Sequence, residues 1–294
     1  MTMGGRGSPV GNACRVGGER WRIPHGAMLT PELRQHLRDL GRARASSRWR
    51  PPAVAASRSL SEALDGAVLS SRHGEFFVWE KTLSEAYSDG RALADRLLAR
   101  LAAAGGRRDE HPAFGALADA PPERVAFIDL ETAGLHGRPL FMIGALRFDG
   151  RDLVLRQTFA RDYSEERAVL SEFQEAAGEI EVLVSFNGKC FDWPYLRDRM
   201  IYHRLRAREP AGHVDLLQPS RRRWRGVLPD CRLQTLERHL CRRVRHGDIP
   251  GAEIPQRYHE FVHSQDPRLI APVFHHNRLD LITMAELLIA LVEA

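Results

Sequence analysis

VAFIDLE, residues 125–131, is apolar until its end, where two acids arrive together. A seven-residue run of this kind reads as a buried strand. Asp129 and Glu131 lie two apart, so they share one face of that strand with Val125 and Phe127. Like charges crowded on a buried face repel, and one of them takes up a proton unless a cation sits between them. A divalent metal ion is the obvious cation. The plainer reading is a solvated strand end with its acids in water.

Outward from this strand the pattern is dense. PLFMIGALRF (139–148) and DLVLRQTFA (152–160) read as two more strands, and the Asp149-Gly150 pair between them predicts a hairpin. SEERAVLSEFQEAAG (164–178) reads as an amphipathic helix capped by Ser164. EVLVSF (181–186) is a second buried strand. A helix follows from Asp192 to about Leu205, with Pro194 in its first turn. HVDLL (213–217) is a short strand, Leu233 to Leu240 a helix, and a last apolar helix runs from about His276. Three strands and then alternating helices and strands predict an α/β fold, a mixed five-stranded sheet flanked by helices.

Upstream the chain thins out. Residues 1–60 mix Gly, Pro, Ser and Arg and predict a poorly ordered basic region, with one short helical stretch from Pro31 to Leu40. Residues 61–121 form a flanking segment in which HGEFFVWEKTL (73–83) reads as a strand, GRALADRLLARLAAA (90–104) as a helix, and Gly105 to Pro122 as a linker. Residues 122–294 form the main domain.

Bulk properties narrow the class. The chain has 294 residues, 43% of them hydrophobic, with no apolar stretch long enough to cross a membrane and no signal-peptide core. A soluble, cytoplasmic protein is expected. Cys14, Cys190, Cys231 and Cys241 are scattered, which argues against both disulfides and a zinc site. The net charge of +5 suits a phosphate-bearing partner. Only Lys81 and Lys189 are lysines among 43 Lys and Arg residues. Lys189 reads either as a chance survivor or as a compact ammonium set against a phosphate.

Two more acids extend the pattern. Asp192 follows the second buried strand in SFNGKCFD, where it either caps the next helix or faces a cleft at the strand ends. Asn187-Gly188 is a plausible turn. His276 and Asp280 lie four apart on one face of the otherwise apolar last helix. A carboxylate there needs a partner, either a metal or one of the many arginines. Four acids at strand ends or on a packed helix are the set that two-metal phosphoryl chemistry requires.

FIDLETAGL (127–135), SFNGKCFDWP (185–194) and HHNRLDL (275–281) resemble the three motifs of the DEDD exonuclease superfamily. They are most similar to the YprB-like ribonuclease-H-like domain family, whose fold places the fourth strand beside the first. HVDLL, CRLQTLE (231–237) and DIPGAEIPQRYHEF (248–261) fit as well, so the likeness covers about residues 122–294. It implies that Asp129, Glu131, Asp192 and Asp280 hold two Mg²⁺ or Mn²⁺ ions. It further implies that a histidine acts on the attacking water, as general base or positioner. His276, with three residues before Asp280, has the spacing of the tyrosine subtype; His275 has that of the histidine subtype. His276 is preferred, because HNxxD resembles the YprB pattern and i,i+4 places it with Asp280.

The activity implied is hydrolysis of phosphodiester bonds in single-stranded DNA or RNA, with 3′–5′ polarity. Asn187, Lys189 and Phe191 are candidate strand contacts, Phe191 by stacking or else by core packing. RRRWR (221–225) reads as a phosphate-tracking run or as a solvated loop. The alternatives are a non-catalytic nucleic-acid-binding module and an endonuclease or resolvase-like enzyme on the same fold.

Overall fold

The computed structural model describes residues 59–103, 112–135 and 137–293. The expectations for residues 1–58, including the helix at Pro31 to Leu40 and Cys14, lie outside them. So does the middle of the expected linker, residues 104–111.

Seven strands form one mixed sheet: β1 Ala67–Ser71, β2 Gly74–Thr82, β3 Val125–Thr132, β4 Leu140–Phe148, β5 Leu153–Phe159, β6 Val182–Ser185 and β7 Gly212–Asp215. Their order is β1-β2-β5-β4-β3-β6-β7. The expected five-stranded sheet is its centre and far edge. Two strands from the flanking segment extend it, because the buried run Phe76–Trp79 pairs antiparallel with β5, Phe77 opposite Phe159. Strands β6 and β7 run parallel to β3, and every other pair is antiparallel. The fourth strand of the central set does lie beside the first.

The helices are α1 Leu60–Leu64, α2 Leu83–Ala86, α3 Gly90–Ala103, α4 Pro112–Asp119, α5 Glu166–Ala176, α6 Asp192–Tyr202, α7 Leu217–Trp224, α8 Leu233–Leu236, α9 Ile254–Ser264 and α10 Pro267–Glu293. Three depart from expectation. The end of the presumed linker is helix α4, whose Phe114 and Leu117 are buried. Ser164 does not cap α5: it lies in a 3₁₀ turn, Tyr163–Glu165, that leads into the helix and is itself capped by Asp162, whose carboxylate accepts the Ser164 N–H at 2.8 Å. The last helix begins at Pro267, well before His276. It carries Pro272 in its body, where the missing N–H removes only one backbone hydrogen bond.

The sheet positions the site through its two faces. One face holds Phe77, Phe159, Gln157, Gly144 and Asp129 and is covered by α10, with Phe274 edge-on to Phe77 at 5.8 Å and to Phe159 at 5.1 Å. Helix α9 seals the end of this core, where Tyr258 stacks on Phe141 at 3.9 Å. Helix α5 packs on the opposite face, its Glu172 bound to Arg156 of β5 at 2.6 Å. Burying these large aromatics contributes about 1.5–3 kcal/mol each. Among the described residues, no helix is long and apolar enough to cross a membrane.

Candidate active site

Asp129 and Glu131 leave β3 on the face beneath α10. Glu131 is 8% exposed, while Asp129 and Asp192 each keep an edge toward solvent. Asp192 is the first residue of α6 and does not cap it. Asp280 and His276 come down from α10. Burial, followed by repulsion from Asp280, Glu131 and Asp192, holds the Asp129 carboxyl well above the usual carboxylate range. Burial pushes Glu131 up to about 8, with His276 opposing it. Burial also raises Asp192 to about 7, and the Asp215 and Asp280 charges add to that. The four acids therefore share one low-dielectric pocket and repel one another.

Two protein cations answer part of that charge. His276 Nε2 lies 3.4 Å from Asp280 Oδ2, and its Nδ1 lies 2.8 Å from Asp248 Oδ1. Burial opposes a charge on this imidazole. The bonds to Asp248 and Asp280 outweigh it and hold His276 at about 11. Arg245, 7% exposed along its side chain, donates to Glu237, Asp248 and Asp280 together. Burial would raise the Asp248 carboxyl, but His276 and Arg245 hold it below the usual range. His276, rather than His275, is thus the histidine in contact with the third-motif acid.

With Asp280 turned to Arg245 and His276, no three Asp, Glu, His or Cys side chains among the described residues form a ready metal-holding group. The chemistry of the donor set still fits a hard divalent cation. The donors are all carboxylate oxygens, they are partly open to solvent, and they carry a repulsion that only further positive charge relieves.

The loop from β6 to α6 brings the other candidates to this edge. Asn187 has φ +66°, as the turn reading requires. A Cβ on Gly188 would stand 2.3 Å from Ser185 Oγ and 2.7 Å from Asp192 Oδ2, so only glycine lets the loop close here. Buried Asp215 pins the loop, accepting the N–H groups of Asn187 at 2.7 Å and Lys189 at 3.2 Å, as well as that of Leu217 at 3.0 Å. Lys189 is exposed. Phe191 is 61% exposed, which removes core packing as its role. Lys81, the other lysine, pairs with Asp65. Residues 221–224 of the RRRWR run belong to α7 rather than to a loop. The Arg221, Arg222 and Arg223 side chains stand exposed on that helix.

Beside the loop, His213 Nε2 lies 2.8 Å from Ser185 Oγ. Burial first and Lys189 second lower this imidazole to about 4, against an ordinary value of 6.5. The folded state then resists a proton that the unfolded chain accepts. His213 therefore lowers stability as the pH falls from about 6.5 toward 4. The site acids act oppositely, so the measurement is comparative: urea midpoints of the wild type and His213→Gln at pH 7.5 and pH 5. The wild type should lose more than the variant. Equal losses would exclude this role for His213.

Sequence reasoning passed over Asp215, Arg245, Asp248, Gln157 and Asn277 as site-building groups. Gln157 left one visible signal. It interrupts the inward series Leu153, Leu155 and Phe159 with a fully buried amide.

The RNase_H_2 family model, described as RNase_H superfamily, matches residues 126–292. The chain belongs to the RNase_H superfamily. The likeness to YprB read from the three motifs holds across a longer aligned stretch. This RNase_H-superfamily chain is 33% identical over 168 residues to the uncharacterized protein YprB of Bacillus subtilis (strain 168), covering 55% of this chain and 40% of YprB. It is 30% identical over 179 residues to the uncharacterized protein MJ0365 of Methanocaldococcus jannaschii, covering 57% of this chain and 95% of that one. The chain thus spans less than half of YprB and nearly all of MJ0365. A solved structure, the family B DNA polymerase from Pyrobaculum calidifontis, is similar at 21% identity and a TM-score of 0.44 over 57% of this chain and 24% of the polymerase.

Proposed function

We propose that this chain is a metal-dependent nuclease that hydrolyses phosphodiester bonds by a two-metal mechanism, a DEDD-type 3′–5′ exonuclease acting on single strands. One observation carries the reading: Asp129, Glu131, Asp192 and Asp280 meet at one pocket whose burial and mutual repulsion call for added positive charge. Asp129, Glu131 and Asp280 would hold one Mg²⁺ or Mn²⁺ ion, and Asp129 with Asp192 the other. When bound, the ions supply Lewis acidity and neutralise charge at the scissile phosphate.

The chain's own groups do the rest. His276 presents Nε2 to the acid pocket while Asp248 anchors Nδ1, so the ring is oriented to position the attacking water; it would accept that water's proton only once bound cations offset the acid charge that keeps it protonated. Lys189 offers a point charge to a phosphate, Asn187 a polar contact, and Phe191 an exposed ring on which a base can stack. The proposed catalytic domain is residues 122–294, with 61–121 as its flanking segment. The described cysteines are free thiols, which suits action in the cytoplasm.

The test uses 5′-labelled single-stranded DNA and RNA with Mn²⁺, Mg²⁺ or EDTA, beside a circular strand. A metal-dependent ladder of shortened products from the linear strand, with the circle intact, is expected. A cut circle would replace the exonuclease with an endonuclease. A folded chain that binds the strands without cutting them would favour the non-catalytic binding module instead.

A further inference from the structure

One row across the sheet links the proposed metal site to the deep core. Asp129 of β3 stands opposite Gly144 of β4, and Gly144 opposite Gln157 of β5. Above Gly144 sits Asn277 of α10, with no exposure. Its Nδ2 donates to Asp129 Oδ2 at 2.7 Å and to the Asp129 carbonyl at 3.2 Å. Its Oδ1 accepts from Gln157 Nε2 at 2.8 Å, and the same Nε2 donates to the Phe274 carbonyl at 2.9 Å.

We infer that Asn277, oriented by Gln157 and admitted by Gly144, is the positioning residue that sets Asp129 for metal binding. The inference deepens the metal-nuclease reading and rests on it. Three observations converge. An amide can bond Asp129 with either end, and only the Nδ2 end donates. Gln157 donates to Oδ1 and so fixes which end faces the carboxylate. Fixing Oδ2 fixes the rotation of the carboxylate, and with it the direction of Oδ1.

Gly144 is the second observation. A Cβ there would stand 2.0 Å from Asn277 Oδ1 and 2.7 Å from its Cγ, so any other residue drives Asn277 off Asp129. The third is a cost. Gln157 Oε1 is buried with no hydrogen-bond partner. Leaving such an acceptor dry is a net cost to the fold. A core built for stability alone would carry methionine or leucine at this place. The amide is explained by what its other end does to Asn277.

This separates stability from function. Gln157→Met keeps the volume and trades one orphaned acceptor, Gln157 Oε1, for another, Asn277 Oδ1, so the melting temperature should stay close to that of the wild type. Losing the group that orients Asn277 should nevertheless weaken Mn²⁺ binding about tenfold. Asn277→Leu removes the donor itself and should weaken it by about 10–100-fold, the range for supports behind metal ligands.

The experiment is a Mn²⁺ titration of the full chain without nucleic acid, read from the free-ion electron paramagnetic resonance signal, beside thermal melts of each variant. Weakened binding in Gln157→Met at a melting temperature close to that of the wild type supports the inference, even if Asn277→Leu fails to fold. Wild-type binding matched within twofold by Gln157→Met overturns it and leaves the nuclease reading standing. A wild type that takes up no Mn²⁺ overturns the nuclease reading, and this inference with it.

Discussion

Asp129→Asn is expected to cut hydrolysis by about 10³-fold while raising the melting temperature of the metal-free chain. The first effect follows from the role of Asp129 as the acid shared by both proposed ions. Loss of several kcal/mol of transition-state charge stabilisation, about 4, corresponds to that factor. The second follows from the fold. The Asp129 charge is opposed by burial and by three neighbouring acids, whereas asparagine keeps the shape and still offers an oxygen to Asn277. For a chain of this size each kcal/mol gained raises the midpoint by about 2–4 °C. Saturating Mn²⁺ should reverse the order, lifting the wild type by about 2.7 kcal/mol at a hundredfold excess over Kd and leaving the variant where it was. Thermal melts with and without Mn²⁺, run beside the cleavage assay, check both halves. An active Asp129→Asn variant, or one destabilised without metal, would remove Asp129 from the centre of the site.

The largest stability effect belongs to a residue outside the site. Glu166 of α5 is 2% exposed and bound by Arg199 through Nε at 2.6 Å and Nη2 at 2.5 Å, by His203 at 2.8 Å, and by the N–H of Leu140 at 2.8 Å. Arg199 also donates to the Gly137 carbonyl at 3.1 Å. These bonds tie the turn after β3 to α5 and α6, and so steady the segment that follows the two first-motif acids. Glu166→Leu strips every partner at once and strands a buried guanidinium, at a cost of about 3–5 kcal/mol. The melting temperature should fall by about 10 °C. Adding Arg199→Met should restore most of it, because an apolar pair carries no unpaired charge. Urea midpoints of the single and double variants decide the matter. A single variant within about 1 kcal/mol of the wild type would show the network to be dispensable.

The parts of this protein legible in its sequence were those where a charge interrupts an apolar pattern. Asp129 and Glu131 end a buried strand, Asp280 breaks an apolar helix, and Asp192 follows a second buried strand. Each stood out because burial makes an unpaired acid expensive. Both adjacent histidines matched a known spacing, and the i,i+4 relation to Asp280 favoured His276. Their burial separates them, with His276 turned inward against Asp248 and Asp280. Arg245 and Asp248 stayed hidden because they sit among Arg242, Arg243 and His246, and such a charged run ordinarily means a solvated loop. Asn277 was hidden by its place between a histidine and an arginine in the third motif. Its meaning lies in Gly144 and Gln157, more than a hundred residues upstream. The start of α10 was hidden by Pro272 and β1 by its exposed surface, while β2 was read as a strand but not as part of the sheet.

The row from Asp129 to Asn277 also sets a clock. Its hydrogen bond joins residues 148 positions apart, and the element that completes it is the last described helix. At a synthesis rate of about 5–20 residues per second, on the order of ten seconds separate the emergence of the first acid from that of the amide that orients it. For most of that interval a growing chain holds β3, β4 and β5 without Asn277, His276 or Asp280. If the centre acts as proposed, a ribosome-bound fragment without α10 lacks the third-motif groups with which to cut the nucleic acids around it.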